Sequence, residues 1–239
     1  MPENNHKFEC KLISKTVETE DTITLRFDVG DGSKLSFIPG QYVIAYIKGD
    51  FGIQGKAYTI SSIPSDKLMA LTVKKMGKFS TALHDLKIGS AVTMEGPKGS
   101  FFPDRNGKEV VFLAAGIGIT PFLSIIRAYA KDGLSDSRKI HLFYSNKTKE
   151  DISFFDEFNR ISSKNKNIEI FYHLTRQKVK DTYIKEFSRI DANALKNKLV
   201  NLSNKDYFIC GPIRFVLDIR RALLDEGVDE LNIHTESFY

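Results

Sequence analysis

Several things are scarce in this sequence, and each shortage removes a class of function. It holds only two cysteines, Cys10 and Cys210, in 239 residues. Two thiols so far apart cannot form a four-cysteine zinc site or hold an iron–sulfur cluster within the chain. His6, His84, His141, His173 and His234 show no metal-ligand spacing, so no metal is expected. The longest stretch without Asp, Glu, Lys or Arg runs from Val110 to Ile126 and is broken by Gly116, Gly118 and Pro121. It falls short of the ~20 apolar residues of a membrane span. Met1-Pro2-Glu3-Asn4-Asn5 has no apolar signal core, which leads to the expectation of a cytoplasmic protein with reduced thiols. Glycine and proline number 16 and 7, too few for a collagen-like or low-complexity chain. The net charge of +5 is dispersed, without a Lys/Arg block, so nucleic acid is not an expected partner. A mildly positive surface does suit an acidic one. No serine sits in a Gly-x-Ser-x-Gly turn, and that hydrolase pattern is absent.

What is present changes texture near residue 105. Before it, Phe8–Thr16, Thr22–Asp28, Tyr42–Ile47, Lys56–Ser61, Ala70–Lys75 and Ala91–Glu95 are rich in β-branched and aromatic residues. Turn signals such as Gly49-Asp50 and Pro64-Ser65-Asp66 separate them. Thr22–Asp28 alternates polar with apolar residues, as a half-buried strand does. Six such strands suit an antiparallel barrel, whose closure removes exposed edges. Thr81–Leu86 reads as a short helix between the last two. Beyond Asn106-Gly107, apolar runs at Val110–Leu113, Ile140–Tyr144, Ile168–His173, Tyr207–Ile209 and Leu231–Ile233 alternate with helical patterns. The helical stretches are Pro121–Ala130, Glu150–Arg160, Ala192–Leu199 and Ile213–Glu226, with Phe154–Phe158 as one buried helix face. The expected architecture is therefore two domains. An antiparallel six-stranded β-barrel spans residues 1–105, and an α/β domain with a parallel five-stranded sheet spans 106–239.

The first α/β strand runs into Gly116-Ile117-Gly118-Ile119-Thr120-Pro121 and then a helix. Glycines permit a tight turn and close approach of a phosphate, and the helix start offers unpaired N–H groups. Pro121 suits the first helical turn, where an N–H is not needed. The spacing is Gly-x-Gly-x-x-Pro, not Gly-x-Gly-x-x-Gly. A plain strand-to-helix turn would read the same; the position at the first strand–helix junction favours a nucleotide loop.

Other segments stand in a definite order along nearly the whole chain. They are Phe37-Ile38-Pro39-Gly40-Gln41-Tyr42, Lys56-Ala57-Tyr58-Thr59, Gly77-Lys78-Phe79-Ser80, Gly96-Pro97-Lys98-Gly99-Ser100-Phe101, Gly116 to Pro121, Cys210-Gly211-Pro212 and Glu236-Ser237-Phe238-Tyr239. Together they resemble the ferredoxin–NADP reductase superfamily, a flavin-binding barrel followed by a nicotinamide-nucleotide domain. The resemblance implies that Lys56, Ala57, Tyr58 and Thr59 take the place of an Arg-x-Tyr-Ser/Thr flavin motif. Tyr58 then stacks on the isoalloxazine, and Thr59 sits beside flavin N5. Lys56 departs from the family's arginine: it keeps the charge and loses the bidentate fork. Gly77, Lys78, Phe79 and Ser80 correspond to a loop whose amides and hydroxyl hold the flavin phosphate, although Ser80 also reads as a helix N-cap. Gly116, Gly118, Thr120 and Pro121 match the pyridine-nucleotide loop. Cys210, with Gly211 and Pro212, lies by resemblance near nicotinamide C4, and Glu236 assists proton movement. Either Phe238 or Tyr239 covers the flavin.

Thr175-Arg176 follows the third α/β strand, where the family contacts the adenosine ribose. With Lys178, Lys180 and Tyr183 nearby, Arg176 suits a 2′-phosphate, which leans the reading to NADPH over NADH. FAD is favoured over FMN. The implied activity is hydride transfer from NAD(P)H to FAD. Electrons then pass to a separate acceptor such as ferredoxin, flavodoxin or an oxygenase component. The alternatives are a free-flavin or ferric reductase, and a non-catalytic regulatory subunit that retains the fold.

Overall fold

The computed structural model describes residues 6–30, 35–104, 107–132, 138–178 and 181–238. The chain divides into two compact units, Met1–Phe102 with Leu123–Tyr129, and Pro103–Phe122 with Ala130–Tyr239.

In the first unit, β1 (Lys7–Thr19), β2 (Thr22–Asp28), β3 (Tyr42–Gly49), β4 (Gly52–Thr59), β5 (Met69–Lys74) and β6 (Ala91–Lys98) form one sheet, with α1 (Lys78–Asp85) between the last two. The order is β4-β3-β6-β1-β2-β5, and every pairing is antiparallel. Ile60, the residue after β4, bridges Leu71 on β5. The two ends of the order therefore meet at that one bridge, and the sheet curls into a barrel. Leu12, Leu25, Phe27, Val43 and Met94 fill its core, joined by Phe79 and Leu83 of α1. At the β1–β2 turn, Asp21 accepts from the Thr19 and Thr22 hydroxyls at 3.1 and 2.9 Å and pairs with Lys74 at 2.6 Å.

The second unit alternates strand and helix. It contains β7 (Glu109–Ala115), a 3₁₀ turn (Gly116–Ile119), α2 (Thr120–Asp132), β8 (Ile140–Asn146), α3 (Phe155–Lys164), β9 (Ile168–Leu174) and β10 (Ile184–Glu186). These are followed by α4 (Ala192–Lys196), β11 (Lys205–Pro212), α5 (Ile213–Asp225) and β12 (Ile233–Phe238). All six strands are parallel, in the order β10-β9-β8-β7-β11-β12. From β7 the chain steps one way through β8, β9 and β10, then returns to lay β11 and β12 on the other side. That reversal opens a crevice beyond the carboxyl ends of β7 and β11, where open α/β sheets take their ligands. β7, β8 and β11 are buried on both faces, hence their mainly apolar runs, which His141 interrupts in β8.

Several expected boundaries move. The parallel sheet has six strands, not five, because three-residue β10 is too short to show a pattern. β4 starts at Gly52 instead of Lys56: its residues from Gly52 to Ala57 are exposed, so no inward-facing apolar residue marked them. The helix expected from Glu150 begins at Phe155. Ahead of it, Asp151 accepts from the Thr148 amide and hydroxyl at 2.9 and 3.0 Å, and Phe154 takes a left-handed φ of 63° outside the helix. Of the expected Phe154–Phe158 face, only Phe158 is a fully buried helical aromatic. The last strand begins at Ile233, after Asp229 caps a 3₁₀ turn by accepting from Leu231 N–H.

Candidate functional site

At the crevice of the second unit, β7 and β11 run side by side with Ala114 opposite Cys210. The Gly116–Ile119 turn leaves β7 with Gly116 at φ +55°. A Cβ on Gly118 would stand 2.2 Å from the Cys210 carbonyl oxygen and 2.8 Å from the Gly211 nitrogen. Two segments far apart in sequence are thus packed backbone against backbone, which only glycine at 118 permits. Thr120, buried, donates its hydroxyl to Ile117 O at 3.2 Å and opens α2, with Pro121 next. α2 has no acidic residue in its first turn, so its start is electrostatically open to a phosphate.

On the other side of β11, Cys210 is the register partner of Glu236, and Pro212 that of Phe238. Burial raises the Cys210 thiol well above its ordinary range, and Glu236 adds to the shift. The thiol is therefore neutral and a poor nucleophile. Burial also pushes the Glu236 carboxyl up to about 7, so it exchanges a proton near neutrality. Phe238 is half-buried; Tyr239 lies outside the described residues.

The loops after β8 and β9 are stapled together. Thr175 N–H donates to Asn146 O at 3.0 Å and Arg176 N–H to Lys147 O at 2.9 Å. Lys149 N–H donates to Gln177 Oε1 at 2.8 Å, and Lys149 Nζ pairs with Asp181 at 2.6 Å. The exposed Arg176 and Lys147 therefore occupy adjoining segments. A cleft of about 390 Å³ includes Phe155, Arg160, Asp181 and Tyr183 in its lining. Lys180 lies outside the described residues.

In the first unit, Lys56, Ala57, Tyr58 and Thr59 end the outermost strand, β4. Lys56 and Ala57 are exposed, Tyr58 half-buried and Thr59 buried. The Tyr58 ring stacks on Phe79 at 6.1 Å and 19°, and Lys56 Nζ lies 5.6 Å from the centre of the same ring. Phe79 is thus a core side chain beneath β4, and only its amide is left to meet a phosphate. Ser80 Oγ accepts from Met76 N–H at 2.8 Å and Gly77 N–H at 3.0 Å, and donates to Gly77 O at 3.0 Å. These bonds use its one donor and both lone pairs. Its hydroxyl holds the loop, and the amides that open α1 remain as the anion-facing groups. Gln41 ties its own segment to the Gly96–Phe101 segment and to the residue that follows Thr59: Oε1 accepts from Ile38 N–H, Nε2 donates to Gly99 O, and its carbonyl accepts from Ile60 N–H.

Comparison with known proteins agrees with the two-unit fold. Residues 9–102 match the oxidoreductase FAD-binding domain model and residues 112–221 the oxidoreductase NAD-binding domain model. The chain joins an oxidoreductase FAD-binding domain to an oxidoreductase NAD-binding domain. It is 29% identical to the flavohemoprotein of Bordetella pertussis over 246 residues, covering 95% of this chain and 60% of that protein. It therefore spans about three fifths of that relative. It is 27% identical over 251 residues to the ferredoxin reductase component of 3-ketosteroid-9-alpha-monooxygenase from Mycobacterium tuberculosis, covering 99% and 67%. The flavohem-like FAD/NAD binding domain of nitric oxide dioxygenase from Vibrio cholerae has the same fold, with a TM-score of 0.85 at 24% identity, covering 97% and 98%.

The sequence did not single out Lys147, which the β8–β9 staple places beside Arg176, or Gln41 as the junction of the flavin-side segments. Among the described residues no group of three or more His, Cys, Asp or Glu gathers as a metal site, and no helix is long and apolar enough to cross a membrane. The Ser80 geometry carries a prediction. Ser80→Ala is expected to lower unfolding stability by about 1–2 kcal/mol, as read by urea denaturation; an unchanged midpoint would show that the loop holds without that hydroxyl.

Proposed function

We propose that the chain transfers reducing equivalents from NADPH, through FAD, to a separate acidic electron carrier such as a ferredoxin, a flavodoxin or an oxygenase component. The single observation that carries the reading is the Gly118–Cys210 backbone contact at the sheet reversal, with the Glu236 carboxyl on the adjoining strand. When bound, the flavin would supply the redox chemistry, two-electron uptake from the nicotinamide and stepwise release of electrons. The residues of the chain bind, orient and move protons. The amides opening α1 and the Lys56 ammonium hold the flavin phosphates, Tyr58 offers its ring to the isoalloxazine, and the Thr59 hydroxyl orients N5. The amides opening α2 hold the nucleotide pyrophosphate. The neutral Cys210 thiol lets the nicotinamide approach without a charge, and Glu236 takes up or gives a proton near pH 7. The net charge of +5 suits an acidic carrier.

Arg176 and Lys147 together read the 2′-phosphate. Arg176→Ala, or Lys147→Ala, is expected to raise KM for NADPH about ten-fold or more and leave KM for NADH unchanged. Equal effects on both nucleotides would remove the NADPH assignment. One observation favours a second reading, a reductase of free flavin: Lys56 is exposed, and a single ammonium grips a phosphate less firmly than an arginine fork.

The deciding experiment is the visible spectrum of the purified chain mixed with FAD, before and after anaerobic NADPH and then NADH. Bound flavin that NADPH bleaches first supports the proposal. Bound flavin that neither nucleotide bleaches contradicts the hydride step. A protein that takes up no flavin leaves only a non-catalytic role for the fold. Faster turnover with free flavin than with any acidic carrier selects the second reading.

A further inference from the structure

Directly after Thr59 the chain leaves β4 and passes through Ile60, Ser61 and Ser62, a buried strap whose polar groups require partners. Toward the sheet they find them locally: Ser61 N–H donates to Ala70 O at 2.8 Å, Thr72 Oγ1 donates to Ser61 Oγ at 2.9 Å, and Ala70 N–H donates to Ser62 Oγ at 3.0 Å. The Ser61 and Ser62 carbonyls are met from α2, whose stretch Leu123–Tyr129 belongs to this first unit. Ser124 Oγ donates to Ser62 O at 2.6 Å, and Arg127 Nη1 donates to Ser61 O at 2.7 Å. Ser124 is fully buried.

A buried serine and a guanidinium, one helical turn apart on α2, thus grip two consecutive carbonyls two and three residues beyond Thr59. A charged donor on a neutral carbonyl is stronger and more directional than an ordinary backbone bond. Thr59 follows Tyr58 in the same extended run, so rotation of the strap turns both.

We propose that Ser124 and Arg127 are positioning residues for the flavin: by fixing the Ser61–Ser62 strap they set the orientation of Tyr58 and Thr59. The inference rests on the flavin reading above and goes beyond it, because neither residue belongs to a motif that contacts the cofactor.

The test uses the full chain with FAD as probe, at a temperature where far-UV circular dichroism shows each variant folded. Arg127→Met keeps the length and removes the donors, Arg127→Lys keeps one, and Ser124→Ala removes the hydroxyl with little change of shape. Met and Ala are expected to weaken FAD binding roughly ten- to hundred-fold and to slow bleaching at saturating NADPH. Arg127→Lys should restore most of both. A purely structural role would lower the melting temperature and leave the FAD Kd and the bleaching rate at wild-type values in the folded variants; that result overturns the proposal. Should Arg127→Met not fold, Ser124→Ala and Arg127→Lys decide by the same readouts. Failure of the wild-type chain to take up FAD would instead refute the functional reading, so the two failures are distinguishable.

Discussion

Alanine at position 118 is expected to lower kcat/KM for NADPH at least about a hundred-fold while leaving FAD binding at its wild-type Kd. The Cβ would stand 2.2 Å from the Cys210 carbonyl oxygen, closer than any real contact. Backbone on both sides of the contact leaves no flexible side chain to swing away. Either the Gly116–Ile119 turn lifts off β11 or the Cys210–Pro212 segment retreats. Both movements displace groups assigned to the nucleotide, while β4 and α1, which carry the flavin segments, belong to the other unit. Overpacking of this kind costs about 1–3 kcal/mol in stability, and a displacement of about an ångström in a positioned group lowers rate by roughly a hundred-fold. Anaerobic stopped-flow bleaching with NADPH, beside an FAD titration, separates the two effects. Bleaching at the wild-type rate and KM would show that the glycine contact has no part in nucleotide binding.

Glu236→Gln is expected to slow flavin reduction or reoxidation by about 10²- to 10⁴-fold, the usual contribution of a positioned general acid or base. It should also remove an inflection near pH 7 from the pH–rate profile. Burial holds the folded-state carboxyl up at about 7 against an ordinary 4.5. The sign for stability follows from linkage. The folded chain binds this proton more tightly than the unfolded chain, so the stabilising effect is complete below pH 4.5 and is lost as pH rises through 7. Glutamine is neutral throughout. The variant should therefore match the wild type in urea denaturation at pH 4 and exceed it at pH 8. A profile that keeps its inflection in the variant would assign the proton to another group, and equal stability at pH 8 would show the carboxyl to be solvated.

How much was legible beforehand varies from residue to residue. Val110–Leu113 and Tyr207–Ile209 announce strands because both faces of β7 and β11 are buried and every position is apolar. Thr22–Asp28 did so by alternation, yet Thr22 and Thr24 proved buried as well: the Thr24 hydroxyl lies 3.0 Å from that of Thr72, a cross-strand pairing that a polar residue's identity does not reveal. The first half of β4 and all of β10 were silent, the one because it buries nothing inward and the other for its length. At the site, the glycine turn could be picked out from its local backbone needs, whereas Cys210-Gly211-Pro212 and Glu236 stood out only through their place in the family's order of motifs. Phe79 and Ser80 show the reverse. Both stood in the expected loop, but the Phe79 ring belongs to the core and the Ser80 hydroxyl to the loop's own amides.

The amino-acid sequence by itself determined that a β half precedes an α/β half, where the glycine turn falls, and which motifs occur in which order. These follow from local periodicity and from residue types whose preferences act within a few positions. Only the tertiary structure decided that Gly118 presses on Cys210, that Glu236 adjoins Cys210, that Lys147 joins Arg176, and that Ser124 and Arg127 grip the strap behind Thr59. Each of these depends on strand order and register, which arise when remote segments compete to bury apolar surface and satisfy backbone groups together.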